Sequence, residues 1–385
     1  MKKYILRSII LLYFSISGYF LKAYVCDEID LDGFEKYILE KYNIKNDEDF
    51  ITQEDKLQIK FEKILSKIIE KRNNYILYEN YGKLENLYDI TLDASRHAFE
   101  HEAIKTEYLK NWASKQGVTF TNISSEIKIK KIKDCSDGLY NMTFNVCTTY
   151  EYLYNNEPEK INKFKLGTLH YIHLQKENDE YKILQEWYTD PFSDSLELKT
   201  KETDEHTQYL MSQIRPEFIP SEYLAKAIEY AHNYCGLGPS EHMFEYNKNY
   251  IDCNPVGGDC ANFASQIMYE SGIFEKNDSW NYINEGTTNW INAQGFSFYL
   301  LKSGRASLID KGVYEVLYKS AFKMRPGDIV AYEKDGRIIH VSTVSALDSK
   351  GYPLVTCHNT DRLIVPYDLG WSNSNIIFYL IDVHY

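Results

Sequence analysis

The feature that most limits the fold is a change in the spacing of apolar residues near Val118. Two earlier segments, one beginning at Thr52 and one covering about 93–115, carry apolar residues at helical spacing on one face. From Val118 to Trp187 apolar and polar residues alternate instead, in segments separated by turn-forming residues. A period of two is that of strands with one buried face. The sequence therefore predicts helices followed by an antiparallel sheet, an α+β arrangement.

This order of helices and then a strand meander resembles the cystatin-like or NTF2-like cone-shaped fold over about residues 30–192. The region contains no cluster of acids or thiols, so we interpret it as a non-catalytic accessory domain. His97 and His101 lie four residues apart, but no third ligand is close to them in the sequence. We interpret both as part of a helix face and expect no metal and no cofactor.

Length and charge limit the domain count and the partners. A chain of 385 residues is long enough for about two domains. The polar segment 193–219, with proline near both ends, is predicted to link the first domain to a second one at 220–385. A formal charge of −13 argues against a nucleic-acid partner, because phosphate binding needs a basic surface. The basic stretch 128–133 alternates with isoleucine and is interpreted as a solvated strand face.

The first 26 residues predict export. Three positive charges precede an apolar run of the length found in signal peptides. The competing interpretations are a retained membrane anchor and, at Cys26, a lipoprotein. All of them predict an extracytoplasmic protein, either secreted or attached to the membrane at the cell envelope.

The segment GGDCANFASQ at 257–266 places a thiol at the expected start of a helix. Asp259 occupies the N-cap position, and the apolar spacing after Cys260 is helical as far as Gly272. Free amide groups at a helix start stabilise a thiolate, so we expect a lowered pKa for Cys260. Paired glycines before it leave room for a substrate backbone.

A nucleophilic thiol also needs a base and a group that orients the base. Three predicted strands follow the RPGD segment that starts at Arg325, and His340 lies on the middle one. His340 is therefore the candidate base. Cys253 and Cys357 are rival thiols, but neither is placed at a helix terminus.

A thiol at a helix start, a histidine on a strand and a polar residue on the next strand, within VTCHNTDRLIVPYDL, follow one another in this order. These three motifs resemble the putative amidase domain family of papain-like cysteine hydrolases over about residues 220–385. The family is distantly related to bacterial cell-wall peptidases. The resemblance implies that Cys260 is the nucleophile and His340 the general base. Ala261 and Val341 stand where the family usually has threonine and serine.

The resemblance leaves the third catalytic group open between two adjacent residues. Family spacing favours His358, whereas the wider papain-like group uses an asparagine, which favours Asn359. Adjacent strand residues face opposite ways, so only one of them can orient His340. Asn254 is the candidate side-chain donor to the oxyanion.

We therefore expect an exported cysteine amidase or peptidase that hydrolyses an amide bond through a thioester. The expected substrate is a peptide or peptidoglycan, with the scissile amide in the peptides of the cell wall. The alternatives are a transglutaminase-like acyl transferase and a wall-binding module without catalysis. The sequence does not identify the scissile bond, the oligomeric state or the role of the first domain.

Overall fold

A computed structural model describes residues 52–78, 84–178, 180–192, 204–239, 241–371 and 375–385. The predicted export or anchor segment at 1–26 and most of the first half of the predicted linker lie outside these ranges. Residues Leu57–Tyr385 form one compact unit. Across the described ranges, no helix combines the length and the apolar composition needed to cross a membrane.

The two predicted amino-terminal helices are present, with the ends that local sequence rules predict. Helix α1 covers Gln53–Tyr78, and before it Thr52 and Asp55 bond reciprocally, each backbone N–H donating to the other side chain at 3.0 and 3.1 Å. Helix α2 covers Asp93–Gln116 and ends at Gly117, whose φ of 68° is left-handed.

All ten strands in the described part of the chain join one antiparallel sheet. The first four are β1 (Val118–Asp134), β2 (Leu139–Tyr154), β3 (Asn162–Glu177) and β4 (Glu180–Tyr188). The others are β5 (Ala306–Gly312), β6 (Ile329–Lys334), β7 (Arg337–Leu347), β8 (Pro353–Cys357), β9 (Arg362–Pro366) and β10 (Ile376–Val383). Their order is β1-β2-β3-β9-β8-β7-β6-β10-β5, and β4 also pairs with β3. The predicted α+β class, with mixed helices and antiparallel strands, is confirmed.

Helices pack on this sheet along the rest of the chain. They are α3 (Asp204–Ser212), α4 (Glu222–Tyr234), α5 (Cys260–Glu270), α6 (Thr288–Ile291), α7 (Ala293–Ser303) and α8 (Tyr314–Ala321). Trp280 and Trp290 are fully buried in the core between α5, α7 and the strands. Both tryptophans are therefore core residues.

Residues 57–192, the amino-terminal region, and residues 204–385, the carboxyl-terminal region, are joined within the sheet. Strand β3 pairs with β9 through Lys165–Leu363 and Leu166–Arg362. Buried polar contacts add to this junction, including Lys115 Nζ to Asp368 Oδ2 at 2.8 Å. Both regions belong to the compact unit Leu57–Tyr385. The domain limits at 30–192 and 220–385 stay a prediction, but the two regions share one sheet.

The amino-terminal region buries an ion pair, with a histidine bonded to its carboxylate. The Arg72 guanidinium forms two hydrogen bonds with the Glu186 carboxylate, one of them 2.9 Å long. His170 Nδ1 lies 2.8 Å from Glu186 Oε1, and its ring is stacked between Phe144 and Tyr188. Burial alone would raise the pKa of Glu186, but Arg72 and His170 reverse this and lower it.

Candidate active site

Cys260 is the first residue of helix α5, as the sequence predicts, and is 6% exposed. It packs in one buried cluster with Val341 of strand β7, the residue directly after His340, and the Val341 N–H acts to lower the pKa of the thiol. Helix α5 therefore abuts the strand that carries the candidate base. The N-cap position of Asp259 is confirmed, but its carboxylate does not cap the helix.

The expected lowering of the Cys260 pKa is not found. Burial raises the pKa of this thiol to about 12, and the N–H groups of Val341 and Ala261 offset only part of the rise. A first-turn position favours the thiolate by the helix dipole, but here desolvation of the charged form outweighs that effect. In the free protein Cys260 is a protonated thiol at neutral pH.

His340 lies on β7 and is 3% exposed, with its ring stacked against Trp371 at 5.1 Å between ring centres. Its Nε2 lies 3.3 Å from Cys357 Sγ and 3.2 Å from Ser342 Oγ. Burial lowers its pKa to about 3, and the positive charge of Arg362 adds to that shift. His340 is therefore a neutral imidazole at neutral pH, and its hydrogen bonds go to Cys357 and Ser342 rather than to Cys260.

The two candidates for the orienting group have other partners. Strand β8 ends at Cys357, and Asn359 follows it in a turn with a φ of 68°. His358 Nδ1 lies 2.5 Å from Asp259 Oδ2, and its Nε2 donates to the Tyr234 carbonyl at 2.8 Å. Neither His358 nor Asn359 forms a hydrogen bond with His340, because the chain turns away before it can reach that side chain.

His358 and Asn359 instead hold the residue before Cys260. Asn359 Oδ1 accepts a hydrogen bond from the Asp259 N–H at 2.6 Å. The His358 ring is stacked between Tyr246 and Phe263, at 3.7 and 3.8 Å between ring centres. A Cβ at Gly258 would lie 2.2 Å from Asn359 Nδ2, so only glycine fits there. Both side chains thus fix where helix α5 begins.

Asn254 lies in the short 3₁₀ helix Asn254–Val256. Its side-chain amide donates to the Tyr246 hydroxyl at 3.2 Å, and that hydroxyl donates to Asp361 Oδ1 at 2.5 Å. Burial raises the pKa of Asp361 to about 6. The side-chain amide of Asn254, the candidate donor to the oxyanion, therefore already takes part in a chain of hydrogen bonds at the edge of the site.

A groove of about 980 Å³ runs over these residues. Its carboxyl-terminal wall includes His340, Trp371, Asn254 and the backbone at 257–258. Its other wall comes from the amino-terminal region. Lining residues there are Lys130, Asn145, Gly167, Thr168, Leu169, Thr189, Asp190 and Pro191. His340 therefore opens on a cleft that both regions build.

Sequence reasoning missed three residues of this site. Asp259 is expected only as a cap, whereas its carboxylate binds His358 across 99 residues of sequence. Arg362 is 1% exposed, and its terminal nitrogens donate to the carbonyls of Leu369 and Pro191 at 2.7 and 2.6 Å. Ser342 lies two residues after His340 on the same strand, which is the one local spacing that could have indicated it.

Metal chemistry has no evident ligand set here. No group of three or more His, Cys, Asp or Glu in the described ranges is arranged to hold a metal ion. His101 Nε2 lies 2.9 Å from Asp190 Oδ2, so that histidine forms an ion pair across two elements when protonated. All six cysteines in the described ranges are free thiols.

Comparisons with known proteins support one assignment. The uncharacterized protein YhbB of Bacillus subtilis (strain 168) is 26% identical over 241 residues, which is 57% of this chain and 71% of that protein. The crystal structure of the intermembrane space region of the chloroplast protein ARC6 covers 33% of this chain and 95% of its own, at 9% identity and a TM-score of 0.23. The structure of Bdellovibrio bacteriovorus Bd1075 covers 32% of this chain and 38% of its own, at 20% identity and a TM-score of 0.19. At these TM-scores neither likeness carries an argument about the fold.

The family model described as "Putative amidase domain" matches residues 222–381, and this match confirms the family predicted from the sequence. It indicates an amidase-type hydrolase acting on amide bonds. The matched range includes the helix start at Cys260, strand β7 and the turn after β8. Residues 222–381 of this chain therefore match the putative amidase domain family.

Proposed function

We propose that the chain is a cysteine-dependent amidase or peptidase with a papain-like mechanism, in which Cys260 is the nucleophile and His340 the general base. One observation carries the proposal. Cys260 begins helix α5, and the first turn of this helix lies against strand β7 at Val341. His340, the residue before Val341, lines a large groove. A thiol at a helix start beside a strand histidine is the arrangement that acyl transfer by cysteine requires.

The protonation states define how such a reaction begins. A thiol with a raised pKa and an imidazole with a lowered pKa rest as a neutral pair. As Cys260 Sγ attacks the substrate carbonyl carbon and the S–C bond forms, His340 takes the thiol proton. His340 then gives that proton to the amine nitrogen as the C–N bond breaks, leaving a thioester. Water attacks the thioester, the C–S bond breaks, and the carboxylic acid leaves while the thiol is protonated again.

This sequence needs His340 to turn from its present partners toward Cys260. Hydrogen bonds of catalytic groups are often long or misdirected before substrate binds and tighten in the complex. Trp371 stacks on the imidazole and Ser342 bonds it, so we assign these two side chains to positioning His340. His358 and Asn359 act one step further away, by fixing Asp259 and hence the helix start.

Cys357 is a second candidate nucleophile, because its sulfur is the one 3.3 Å from His340 Nε2. It is fully inside the sheet, and burial raises the pKa of its thiol to about 11. We favour Cys260 because Gly257 and Gly258, which precede Asp259 and Cys260, line the groove and give a substrate backbone access.

For the substrate we propose an amide within cell-wall peptidoglycan peptides, and for the location the outside of the cytoplasmic membrane, either secreted or anchored. These proposals rest on the amino-terminal 26 residues and on the family resemblance. The cystatin-like or NTF2-like character of the amino-terminal region is likewise a proposal, based on helices that precede a four-stranded meander. A nucleic-acid partner is not proposed, given the charge of −13.

The test is a set of cysteine variants assayed on purified peptidoglycan and on peptide p-nitroanilides. We expect Cys260→Ala to lose at least about a thousandfold in kcat/KM, because a covalent step disappears. Cys357→Ala is the matched control and should keep activity within about tenfold. Full loss in Cys357→Ala with activity retained in Cys260→Ala would reverse the assignment.

The same assay separates the alternative functions. Incorporation of a fluorescent primary amine in place of hydrolysis would identify an acyl transferase. Binding to peptidoglycan that is equal in the wild type and Cys260→Ala, with no release of amino groups by either, would identify a wall-binding module.

A further inference from the structure

We propose that the amino-terminal region forms half of the substrate-binding site, in which Asn145 binds the backbone of a peptide and Lys130 binds a carboxylate on it. The inference rests on the proposed amide substrate and extends it. It assigns a binding role to a region that the sequence identifies only as accessory. Three features of the groove wall carry it.

The first is the state of Asn145. This residue lies on β2 and lines the groove, and it is 9% exposed. Its side-chain amide has no hydrogen-bond partner anywhere in the described ranges. The polar atoms of this amide are not among the buried atoms that lack a partner, so the amide is open to the groove and free to bind a ligand there. One N–H donor and one carbonyl acceptor on the same amide match the acceptor and donor of a peptide backbone.

The second is the geometry of Lys130. Strand β1 pairs with β2 with two register shifts, and Lys130 is the extra residue of the second one, between Ile129 and Lys131. A bulge re-aims the side chain it contains. Lys130 alone among the lysines of 128–133 lines the groove, and within the described ranges it has no ion-pair partner. An unpaired ammonium beside an unpaired amide suits a peptide that carries a carboxylate.

The third is the size and composition of the cleft. A volume of about 980 Å³ is at the upper end of the roughly 300–1,000 Å³ typical of ligand sites. The opposite wall presents His340 and the glycine backbone before Cys260. A ligand that touches Asn145 and also reaches the proposed catalytic groups therefore has to cross from one region to the other, which an extended peptide does.

The test measures binding without turnover. Fluorescein-labelled alanine-based hexapeptides, each with Glu at a different one of the six positions, and their Gln counterparts are titrated against Cys260→Ala by fluorescence anisotropy. Lys130→Gln in that background should weaken the best Glu peptide about fivefold and leave its Gln counterpart unchanged. Asn145→Leu should weaken both peptides about tenfold.

Two matched variants serve as controls. Lys133→Gln removes an exposed lysine from the same strand, and Asn141→Leu removes an amide from the same face of β2, yet neither residue lines the groove. Both should bind like the parent. Asn145→Leu should also leave the melting temperature nearly unchanged, because its amide forms no hydrogen bond within the described ranges, whereas a structural asparagine would lower it on substitution.

The outcomes separate this inference from the proposed function. Equal binding by Lys130→Gln, Asn145→Leu and the parent, or no binding of any hexapeptide, would overturn the inference. If peptide binding depends on these two residues but no amide is cleaved by the wild type, the inference stands and the proposed function fails. If the wild type cleaves amides while Lys130→Gln and Asn145→Leu bind peptides normally, the proposed function stands and the inference fails.

Discussion

The two regions of this molecule treat buried titratable groups in opposite ways. In the amino-terminal region Arg72, Glu186 and His170 are buried together, and the Glu186 carboxylate pairs with both of the other side chains. In the carboxyl-terminal region Cys260 and His340 are buried without a carboxylate, and burial shifts both pKa values toward the neutral form. Paired charges stabilise a fold, but they do not readily take up or release a proton. A neutral thiol, and a neutral imidazole that lines a groove, keep the capacity to exchange a proton.

The two histidines make the contrast specific. His170 has Glu186 on one ring nitrogen and Thr168 on the other, at 2.8 and 2.7 Å, so both are committed. His340 directs Nε2 to a thiol and a hydroxyl and opens on the groove. Burial lowers the pKa of both rings. Two buried histidines can therefore have different roles, because their hydrogen-bond partners differ.

The largest effect is expected from exchanging these histidines for alanine. His340→Ala should reduce kcat/KM by about 10²–10⁴, the usual contribution of a general base, with little change in melting temperature. His170→Ala should lower the free energy of unfolding by about 1–3 kcal/mol and leave kcat of the folded protein unchanged. Urea unfolding and steady-state kinetics on both variants check this. Loss of stability without loss of activity in His340→Ala would contradict the contrast.

The ion pair between Arg72 and Glu186 can be removed by replacing Glu186. Glu186→Gln leaves the Arg72 guanidinium buried without its counter-ion and should cost about 3–5 kcal/mol in urea unfolding. The folded pKa is lowered from the ordinary value of 4.5, so this stabilisation is complete above that value and is lost as pH falls below it. The difference in free energy of unfolding between the wild type and Glu186→Gln should therefore become smaller at acid pH. Glu180→Gln, at an exposed position on the same strand, is the control and should change stability by less than about 0.5 kcal/mol.

A smaller effect is expected at the helix start. Asp259→Asn removes a carboxylate that lies 2.5 Å from His358 Nδ1, and loss of such a bond costs about 1.5–3 kcal/mol. Because Asp259 precedes Cys260, kcat should fall while KM for a bound peptide changes little. Unfolding curves and the split between kcat and KM check this together. An unchanged kcat would show that the placement of this helix start is not needed for activity.

The smallest change concerns thiol reactivity. With a pKa raised to about 12, Cys260 should react with iodoacetamide in proportion to hydroxide, about tenfold faster per pH unit from pH 6 to 9. The urea-unfolded chain, whose thiols titrate near the ordinary value of about 8.5, should react faster at pH 8 and level off above it. A fast plateau already at pH 5 to 6 in the folded protein would mean a preformed thiolate and imidazolium pair.

Local sequence rules predicted the elements that depend on neighbours in the chain. The Thr52–Asp55 cap, the end of α2 at Gly117 and the helix that begins at Cys260 all follow from spacing and residue type. The position of His340 on a middle strand was likewise predictable. The putative amidase domain was recognisable from three motifs in order.

Contacts between distant residues were not predictable. Pairing of β3 with β9 joins Leu166 to Arg362, and no pattern in either strand encodes that partner. The hydrogen bond of His358 depends on Asp259, and the low pKa of His340 depends on burial and Arg362. The expected thiolate failed for the same reason, because desolvation is set by the packed fold and cannot be derived from the helix start alone.

The most direct test of the account is to trap the acyl group and locate it. The wild type is mixed with the p-nitrophenyl ester of N-acetylalanine, quenched in acid within seconds, digested with pepsin and mapped by mass spectrometry. The account predicts a thioester on the peptide that contains Cys260, absent in Cys260→Ala and slowed in His340→Ala. Acylation of Cys357 instead, or of no cysteine, would contradict it.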